Sequence, residues 1–237
     1  MTAAIAGGAQ CISIIVPTLN EAGGIAATLA ALAPLRRRGH EVIVADGGSS
    51  DGTPELARSG ADRLVSAPRG RASQMNAGAA IAHGEILLFL HADTRLPENA
   101  DMKMLEGLAS TRRAWGRFDV RIAGRSRWLP LIAFLMNLRS RATGIATGDQ
   151  AMFVRREVFV RAGGFPALAL MEDVALSRSL KRVSRPLCIA DRVVTSGRRW
   201  DSRGALRTVL LMAWLRLRFF FGAEPARLAR LYDGECG

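Results

Sequence analysis

Four short, continuously apolar runs punctuate the first 95 residues, separated by helical patterns rich in alanine and leucine. The runs are 11–16 (CISIIV), 41–45 (EVIVA), a weaker one at 63–66, and 85–90 (EILLFL). The patterns between them cover about 23–37, 53–60 and 71–82. Apolar runs without polar alternation suit strands covered on both faces, as in parallel sheets. Strand–helix alternation of this kind predicts a doubly wound α/β sheet. Ligands of such sheets bind beyond the carboxyl ends of the strands. That rule directs attention to residues 17–21, 46–53 and 91–95, and all three loops carry carboxylates.

The second half is less regular. Residues 115–122 read as a strand, 125–141 as a helix, 150–154 as a strand and 187–194 as a final strand. A helix is expected after Met171, and another after Pro97 and Glu98. The segment from about 204 to 232 reads as helical with a break near Gly222 and Pro225. No internal repeat or low-complexity linker divides the chain. The expected organisation is a single domain over 1–203 with a helical tail over 204–237.

Charge divides the chain more sharply than pattern does. The net charge is +12, yet residues 1–110 carry a net −2 and residues 111–237 a net +14. An anionic partner is implied: nucleic acid, a membrane surface or a phosphorylated substrate. Nucleic acid is disfavoured, because aromatic residues are few and no zinc or helix-turn-helix signature is present. Three scattered cysteines make neither a disulfide framework nor a metal pair, which points to a reducing compartment. The N-terminal MTAAIAGGAQ lacks a basic n-region and a long apolar core. The longest uncharged apolar run, residues 128–138, is 11 residues long, too short to span a membrane. The expected location is cytoplasmic, with peripheral attachment to the inner face of a membrane as the variant reading. In the tail, Arg203, Arg207 and Arg218 share a helical stripe while Arg216 falls on the opposite side. Packing of this segment on the domain and contact with a membrane are both open readings.

Several constellations could carry chemistry. In ADGGSSDGT (45–53), Asp51 reads as a turn or helix-cap residue, whereas Asp46 stands at a strand end. The dinucleotide pattern GxGxxG and the P-loop pattern are both absent. LHADT (90–94) places Asp93 where it caps a helix or holds a hard divalent cation, with His91 as a second polar contact. Glu172 and Asp173 open a predicted helix, where acids suit the macrodipole; the alternative role is a general base with a paired acid. GRRW (197–200) sets two guanidiniums beside an indole, a surface patch or a phosphate clamp. Arg69 and Arg71 precede a predicted helix N-terminus, a natural anion site.

The stretches SIIVPTLNE, VADGGSSDGT, GRASQMNAGAAIAHGEILLFLHADT, TGDQAMFVRREVFVRAGGF and MEDVALSRSL resemble glycosyltransferase family 2 in order and spacing. The resemblance covers roughly residues 11–200. In finer detail LHADT, GDQAMF and GRRW are similar to the bacterial subgroup called radical-SAM/selenodomain-associated or arsenosugar-biosynthesis-type transferases. The resemblance implies a GT-A fold, a mainly parallel mixed sheet, with a nucleotide-sugar half at 11–110 and an acceptor half at 111–203. It implies an inverting, metal-assisted transfer from a nucleoside-diphosphate sugar, with Mg²⁺ or Mn²⁺, to a hydroxyl acceptor of anionic or lipid-linked type. Pro17, Thr18 and Glu21 would line the nucleotide pocket, with Asp46 on the base or ribose and Arg69 and His91 as further contacts. Asp93 matches the metal-binding aspartate of the DxD motif, and Asp173, with Glu172 beside it, the catalytic base. Gly148, Asp149 and Gln150 would form the donor–acceptor boundary, and Arg199 and Trp200 resemble the end of a QxxRW motif. Two departures stand out: the first acid of DxD is His91, and the glutamine of QxxRW is Ser196. A nucleotidyltransferase acting on a sugar phosphate is the alternative enzyme, and a basic nucleic-acid-binding protein the non-enzymatic alternative.

Overall fold

The computed structural model describes residues 10–233. Its centre is an eight-stranded sheet in the order β3-β2-β1-β4-β7-β6-β8-β5. The strands are β1 (Ile12–Thr18), β2 (Glu41–Asp46), β3 (Arg63–Ser66), β4 (Ile86–Phe89), β5 (Thr94–Arg95), β6 (Trp115–Ala123), β7 (Phe153–Arg155) and β8 (Leu187–Ser196). β1 pairs in parallel with β2 and β4, β2 with β3, and β6 with β8. β7 lies antiparallel to both β4 and β6, and β5 antiparallel to β8. Six strands therefore run one way and two the other, a mainly parallel mixed α/β sheet flanked by helices.

Both faces are covered, as the apolar runs require. Along β1, Ile12, Ile14 and Val16 pack on one face, with Ile25, Leu29 and Leu32 of α1 (Ile25–Arg37). Ile15 points to the other face, against Ala72, Met75 and Ala79 of α3 (Arg71–Ile81). This alternation follows from the two-residue period of a strand; the run looks continuous because neither face meets water. The remaining helices are α2 (Thr53–Ala57), α4 (Ala100–Ser110), α5 (Leu129–Thr143), α6 (Arg156–Arg161), α7 (Glu172–Lys181), α8 (Arg198–Arg203), α9 (Ala205–Phe220) and α10 (Pro225–Asp233).

The direction of the strands creates the site. β1, β2, β4, β6 and β8 all deliver their carboxyl ends to one edge of the sheet. β7 runs the other way, so the residues that precede it arrive at that same edge. The chain from Gly148 to Gln150, a 3₁₀ turn, therefore meets the loops that follow β1 and β4. The first turn of α7 joins them.

Several expectations need correction. The strand expected at 150–154 is the 3₁₀ turn followed by β7 at Phe153–Arg155. The helix expected after Pro97 begins at Ala100, behind Asn99 at φ 52°, because residues 94 and 95 are drawn into β5. Asp93 therefore caps no helix. The tail forms α9 and α10 with a break between them, and Leu215 and Leu228 are buried against Leu170, Met171 and Val174 beside α7. Among the described residues no helix is long and apolar enough to cross a membrane.

Close packing of α3 on β1 depends on Gly78, where a β-carbon would fall 2.5 Å from Cγ2 of Ile15. Gly78→Ala is expected to cost about 1–3 kcal/mol, since overpacking a filled core forces side chains and backbone to shift. Gly23→Ala, with nothing within 4 Å of the added carbon, should stay within about 0.5 kcal/mol. Urea unfolding of the two variants checks the contrast.

Candidate active site

The loops after β1 and β2 are laced together before they can meet any ligand. Thr18 and Asp46 are register partners at the ends of the two strands, and Thr18 Oγ1 donates to Asp46 Oδ1 at 3.2 Å. Asp46 also accepts from the Ser49 hydroxyl at 2.5 Å and from the amides of Gly48 and Ser49, both at 2.9 Å. Burial works against its charge, but the bonds from Ser49, Gly48 and Thr18 outweigh it and hold its carboxyl below the ordinary range. The structure thus turns Asp46 into its own loop, where it holds the turn. Asp51 laces the same two loops: its carboxylate accepts from the Ala22 amide at 2.9 Å and from the Thr53 hydroxyl at 2.5 Å. Gln74 of α3, buried, donates from Nε2 to the carbonyls of Thr18 at 2.6 Å and Ala45 at 3.0 Å, clamping both strand ends.

A cavity of about 1000 Å³ opens at this edge of the sheet. Pro17, Thr18 and Glu21 line it from β1 and its loop, His91 and Asp93 from the loop after β4, and Arg69 and Arg71 from the start of α3. Asp149 and Trp200 line it from the second half of the chain. A smaller cavity of about 60 Å³ adjoins it, sharing Arg71, His91 and Asp149, and is lined by Gly148, Glu172 and Asp173. Residues from Pro17 to Tyr232, nearly the whole described chain, are brought together here. Asp46 and Gln150 line neither cavity. Gln150 is fully buried, accepting from the Thr147 amide at 3.2 Å and donating to Asn137 Oδ1 at 3.3 Å, so it supports the turn from beneath. The backbone of Arg199 lies in α8, but its side chain lies outside the described residues.

Gly148 is the junction. Its amide donates to Asp173 Oδ2 at 2.8 Å, while the Val174 amide donates to Asp173 Oδ1 at 2.7 Å. Both oxygens are thereby oriented at the N-terminus of α7, where the helix dipole favours an anion. A β-carbon on Gly148 would collide with Nε2 of His91. His91 in turn places Nδ1 3.3 Å from Asp149 Oδ1. Burial disfavours the charge of Asp149, yet His91, Arg71 and Arg216 together hold its carboxyl below the usual value. Backbone at positive φ brackets these acids: Ala151 at 46° and Met171 at 69°. Such conformations are costly for residues with side chains and persist where surrounding packing enforces them. Met171 is 3% exposed, which supplies that packing here.

Glu172 behaves differently from its neighbour. It is buried, and burial together with the charge of Asp173 pushes its carboxyl up to about 7. Arg71 pulls the other way; burial opposes the guanidinium's own charge, but Glu172, Asp149 and Asp173 keep it firmly protonated.

Arg198 bridges the donor-side acids, with Nη2 3.4 Å from Glu21 Oε2 and 3.6 Å from Asp93 Oδ2. Among the described residues no three His, Cys, Asp or Glu side chains gather as a metal cluster. Asp93 offers one carboxylate to the cavity, and His91 stands two residues before it. This donor set fits a hard cation that leaves most of its positions to phosphate oxygens and water, and does not fit one held by protein alone.

Arg139 and Arg216 also line the cavity, from α5 and α9. Neither was singled out as a site residue from sequence. For Arg216 a signal existed, its place opposite the other tail arginines on the helical wheel; for Arg139, inside a long apolar helix, the signal was the cost of burying a charge there.

Residues 13–163 match the family model described as Glycosyl transferase family 2. A curated relative, the PGL/p-HBAD biosynthesis glycosyltransferase of Mycobacterium tuberculosis (strain ATCC 25618 / H37Rv), is 38% identical over 97 residues. That match spans 38% of this chain and 38% of the relative's length. The fold is shared with S. aureus TarS 1–349 in complex with UDP-GlcNAc (TM-score 0.64, 19% identity, 78% of this chain and 58% of that one). It is also shared with a mannosyltransferase from Pyrobaculum calidifontis in complex with GDP-Man and Mn²⁺ (TM-score 0.64, 24% identity, 94% and 68%). Glucosyl-3-phosphoglycerate synthase from M. tuberculosis, in complex with Mn²⁺, UDP and phosphoglyceric acid, has the same fold (TM-score 0.59, 22% identity, 86% and 77%).

The raised carboxyl of Glu172 has a consequence for stability. Because its folded pKa of about 7 lies above the ordinary 4.5, the native chain binds the extra proton. The associated stability is complete below pH 4.5 and is lost as pH rises through 7. From pH 5 to 8, the wild-type chain should lose on the order of 2–3 kcal/mol relative to Glu172→Gln. Urea unfolding across that range measures the difference, and a constant difference would contradict the assignment.

Proposed function

The chain belongs to glycosyltransferase family 2, and from that premise we propose that it transfers a sugar, with inversion, from a nucleoside-diphosphate sugar to a hydroxyl acceptor. One observation carries the reading. A single edge of the sheet gathers the loops after β1 and β4, the turn before β7 and the first turn of α7 around two adjoining cavities. The solved neighbours in complex with UDP-GlcNAc, GDP-Man and UDP support the donor class.

Each side chain has a task in this account. Thr18 and Glu21 stand at the end of β1, where the nucleoside enters; Asp46 holds that end rigid from behind, and Gln74 clamps it from the cavity wall. Arg69, Arg71 and Arg198 supply positive charge for the diphosphate, whose charge grows as the anomeric C–O bond breaks. Asp93 would hold Mg²⁺ or Mn²⁺, whose chemistry when bound is to neutralise the leaving phosphate. Asp173 accepts the proton of the acceptor hydroxyl as its oxygen bonds to the anomeric carbon, and the nucleoside diphosphate departs from the opposite side. The amides of Gly148 and Val174 aim that carboxylate and limit its reorientation. Glu172, its carboxyl raised to about 7 by burial and by the charge of Asp173, limits the build-up of a second negative charge there.

Asp173→Asn is expected to lower transfer by about 10²–10⁴-fold, the usual worth of a positioned general base. Nucleoside-diphosphate binding should survive in that variant, as read by calorimetry. Asp93→Ala should instead weaken UDP or GDP binding at least about tenfold in Mn²⁺, and leave binding in chelator unchanged. Near-normal turnover in Asp173→Asn would remove the base assignment.

A further inference from the structure

Helices α5 and α9 each pack one face on the domain and turn the other outward. Ile132 and Met136 of α5 and Ala205 and Thr208 of α9 are buried. The outward faces are dominated by large apolar side chains. On α5, Trp128, Leu131, Leu135 and Leu138 recur every three or four residues with Phe134 beside them, all 48–60% exposed. On α9, Leu206, Leu210, Trp214, Leu217 and Phe221 recur in the same way, 42–75% exposed. That spacing is the period of one helix face. Among the described residues, eleven of the fifteen exposed large apolar side chains lie on these two segments, so the exposure is local to them. Leu131, Leu135 and Leu206 also line the large cavity, so the two stripes meet at its rim. Exposed apolar area of this extent marks a surface that meets lipid or another apolar body.

The charge on this surface has one sign. α5 and α9 contain five arginines and no acid, and the loop before α5 adds Arg125 and Arg127. Arg125, Arg127, Arg207 and Arg218 are exposed. The nearby acids are engaged elsewhere: Asp119 pairs with Arg117 and Arg141, and Asp201 accepts from the amides of Arg125 and Ser126. Guanidiniums also stand over the rings of α9. Arg218 lies 5.3 Å from the centroid of Trp214, and Arg178 of α7 lies 5.5 Å from that of Phe220. Such a side chain runs its stem along apolar surface and keeps its head at the polar level.

The geometry points to a docking face for an anionic bilayer, with the α5 and α9 stripes in the boundary between headgroups and acyl chains. Arg125, Arg127, Arg207 and Arg218 would meet the lipid phosphates. Neither helix is long and apolar enough to cross a membrane, so the chain lies on the surface. Apolar area and anionic lipid attraction together set the strength of such binding, and this face supplies both. Trp128 and Trp214 suit the boundary, since an indole has an apolar ring and a polar N–H. A second copy of the chain could also cover apolar stripes. A twofold contact, however, sets each patch against itself and would crowd these arginines together with no acid on either helix to answer them. The inference concerns where the chain sits and does not depend on the transferase reading.

Flotation of the intact chain with vesicles tests the face, using phosphatidylcholine alone and equal parts phosphatidylcholine and phosphatidylglycerol. The mixed vesicles are expected to bind at least about tenfold more tightly than the neutral ones. Phe134→Ser combined with Leu210→Ser, both at exposed positions, should weaken binding to the mixed vesicles at least about tenfold. Leu56→Ser, an equally conservative test on exposed α2, should leave it unchanged. Arg207→Gln combined with Arg218→Gln should weaken binding to the mixed vesicles and leave binding to the neutral ones unchanged. Flotation with neither vesicle, or equal binding to both, would overturn the proposal. So would binding that Phe134→Ser with Leu210→Ser does not alter, or that Leu56→Ser lowers as much. Sedimentation without lipid tests the other occupant: a dimer that Phe134→Ser with Leu210→Ser makes monomeric would give the face to a second copy and overturn the bilayer.

Discussion

The hydrogen bond from the Gly148 amide to Asp173 ties together parts of the chain that the sheet brings to one edge. It depends on the reversed direction of β7, which delivers residue 148 to the edge where β1 and β4 end. It depends also on glycine, since a side chain there would displace His91 from its place beside Asp149. One backbone position thus sets the Asp173 carboxylate, the ring after β4 and the acid that ring faces. The strained backbone at Ala151 and Met171 lies on either side of this junction, as expected where packing enforces a functional geometry.

The division of charge along the chain acquires a spatial meaning. The net −2 half supplies the strand-end acids, Glu21 and Asp93, together with the loop-holding Asp46. The net +14 half supplies Arg139, Arg198 and Arg216 to the opposing walls. Acids and arginines from both halves line a single cavity, where Arg198 of the basic half pairs with Glu21 and Asp93 of the other. Neighbouring acids also meet different surroundings: Asp173 is oriented by two amides, while burial and the charge of Asp173 push the carboxyl of Glu172 up to about 7. Nucleic acid, the partner that net charge first suggests, is not needed to explain the arginines that line this cavity.

The first half of the fold was legible because β1, β2 and β4 are buried on both faces and their apolar runs are closed by Pro17, Asp46 and His91. Runs such as ISIIV and VIVA leave little choice of structure. The short elements were not legible. β5 has two residues and exists only because β8 pairs with it, and α6 has six, too few to show a period. The start of α4 was displaced because Pro97 imitates a first-turn proline, while pairing of residues 94 and 95 delays the helix. At the site, residue types and order pointed to Asp93 and Asp173 and the family resemblance to Asp149, and all three line the adjoining cavities. What sequence could not supply was direction. Asp46 looked like a ligand-facing strand-end acid, but its own loop supplies three donors and Thr18 of β1 a fourth, and together they claim it. Gln150 works from behind the cavity, Gln74 lines it while clamping two strand ends, and Arg139 enters it from a helix that reads as plain apolar packing.

The central claim is that this edge of the sheet breaks the bond between a sugar and a nucleoside diphosphate, with Asp173 as the base. Its most direct test is nucleoside-diphosphate release from a panel of UDP-, GDP-, dTDP- and ADP-sugars in Mn²⁺ and Mg²⁺, with wild-type protein and Asp173→Asn side by side. The account expects release from at least one sugar nucleotide by the wild type and a loss of about 10²-fold or more in the variant. Release from none of them, or equal release by both proteins, would contradict it.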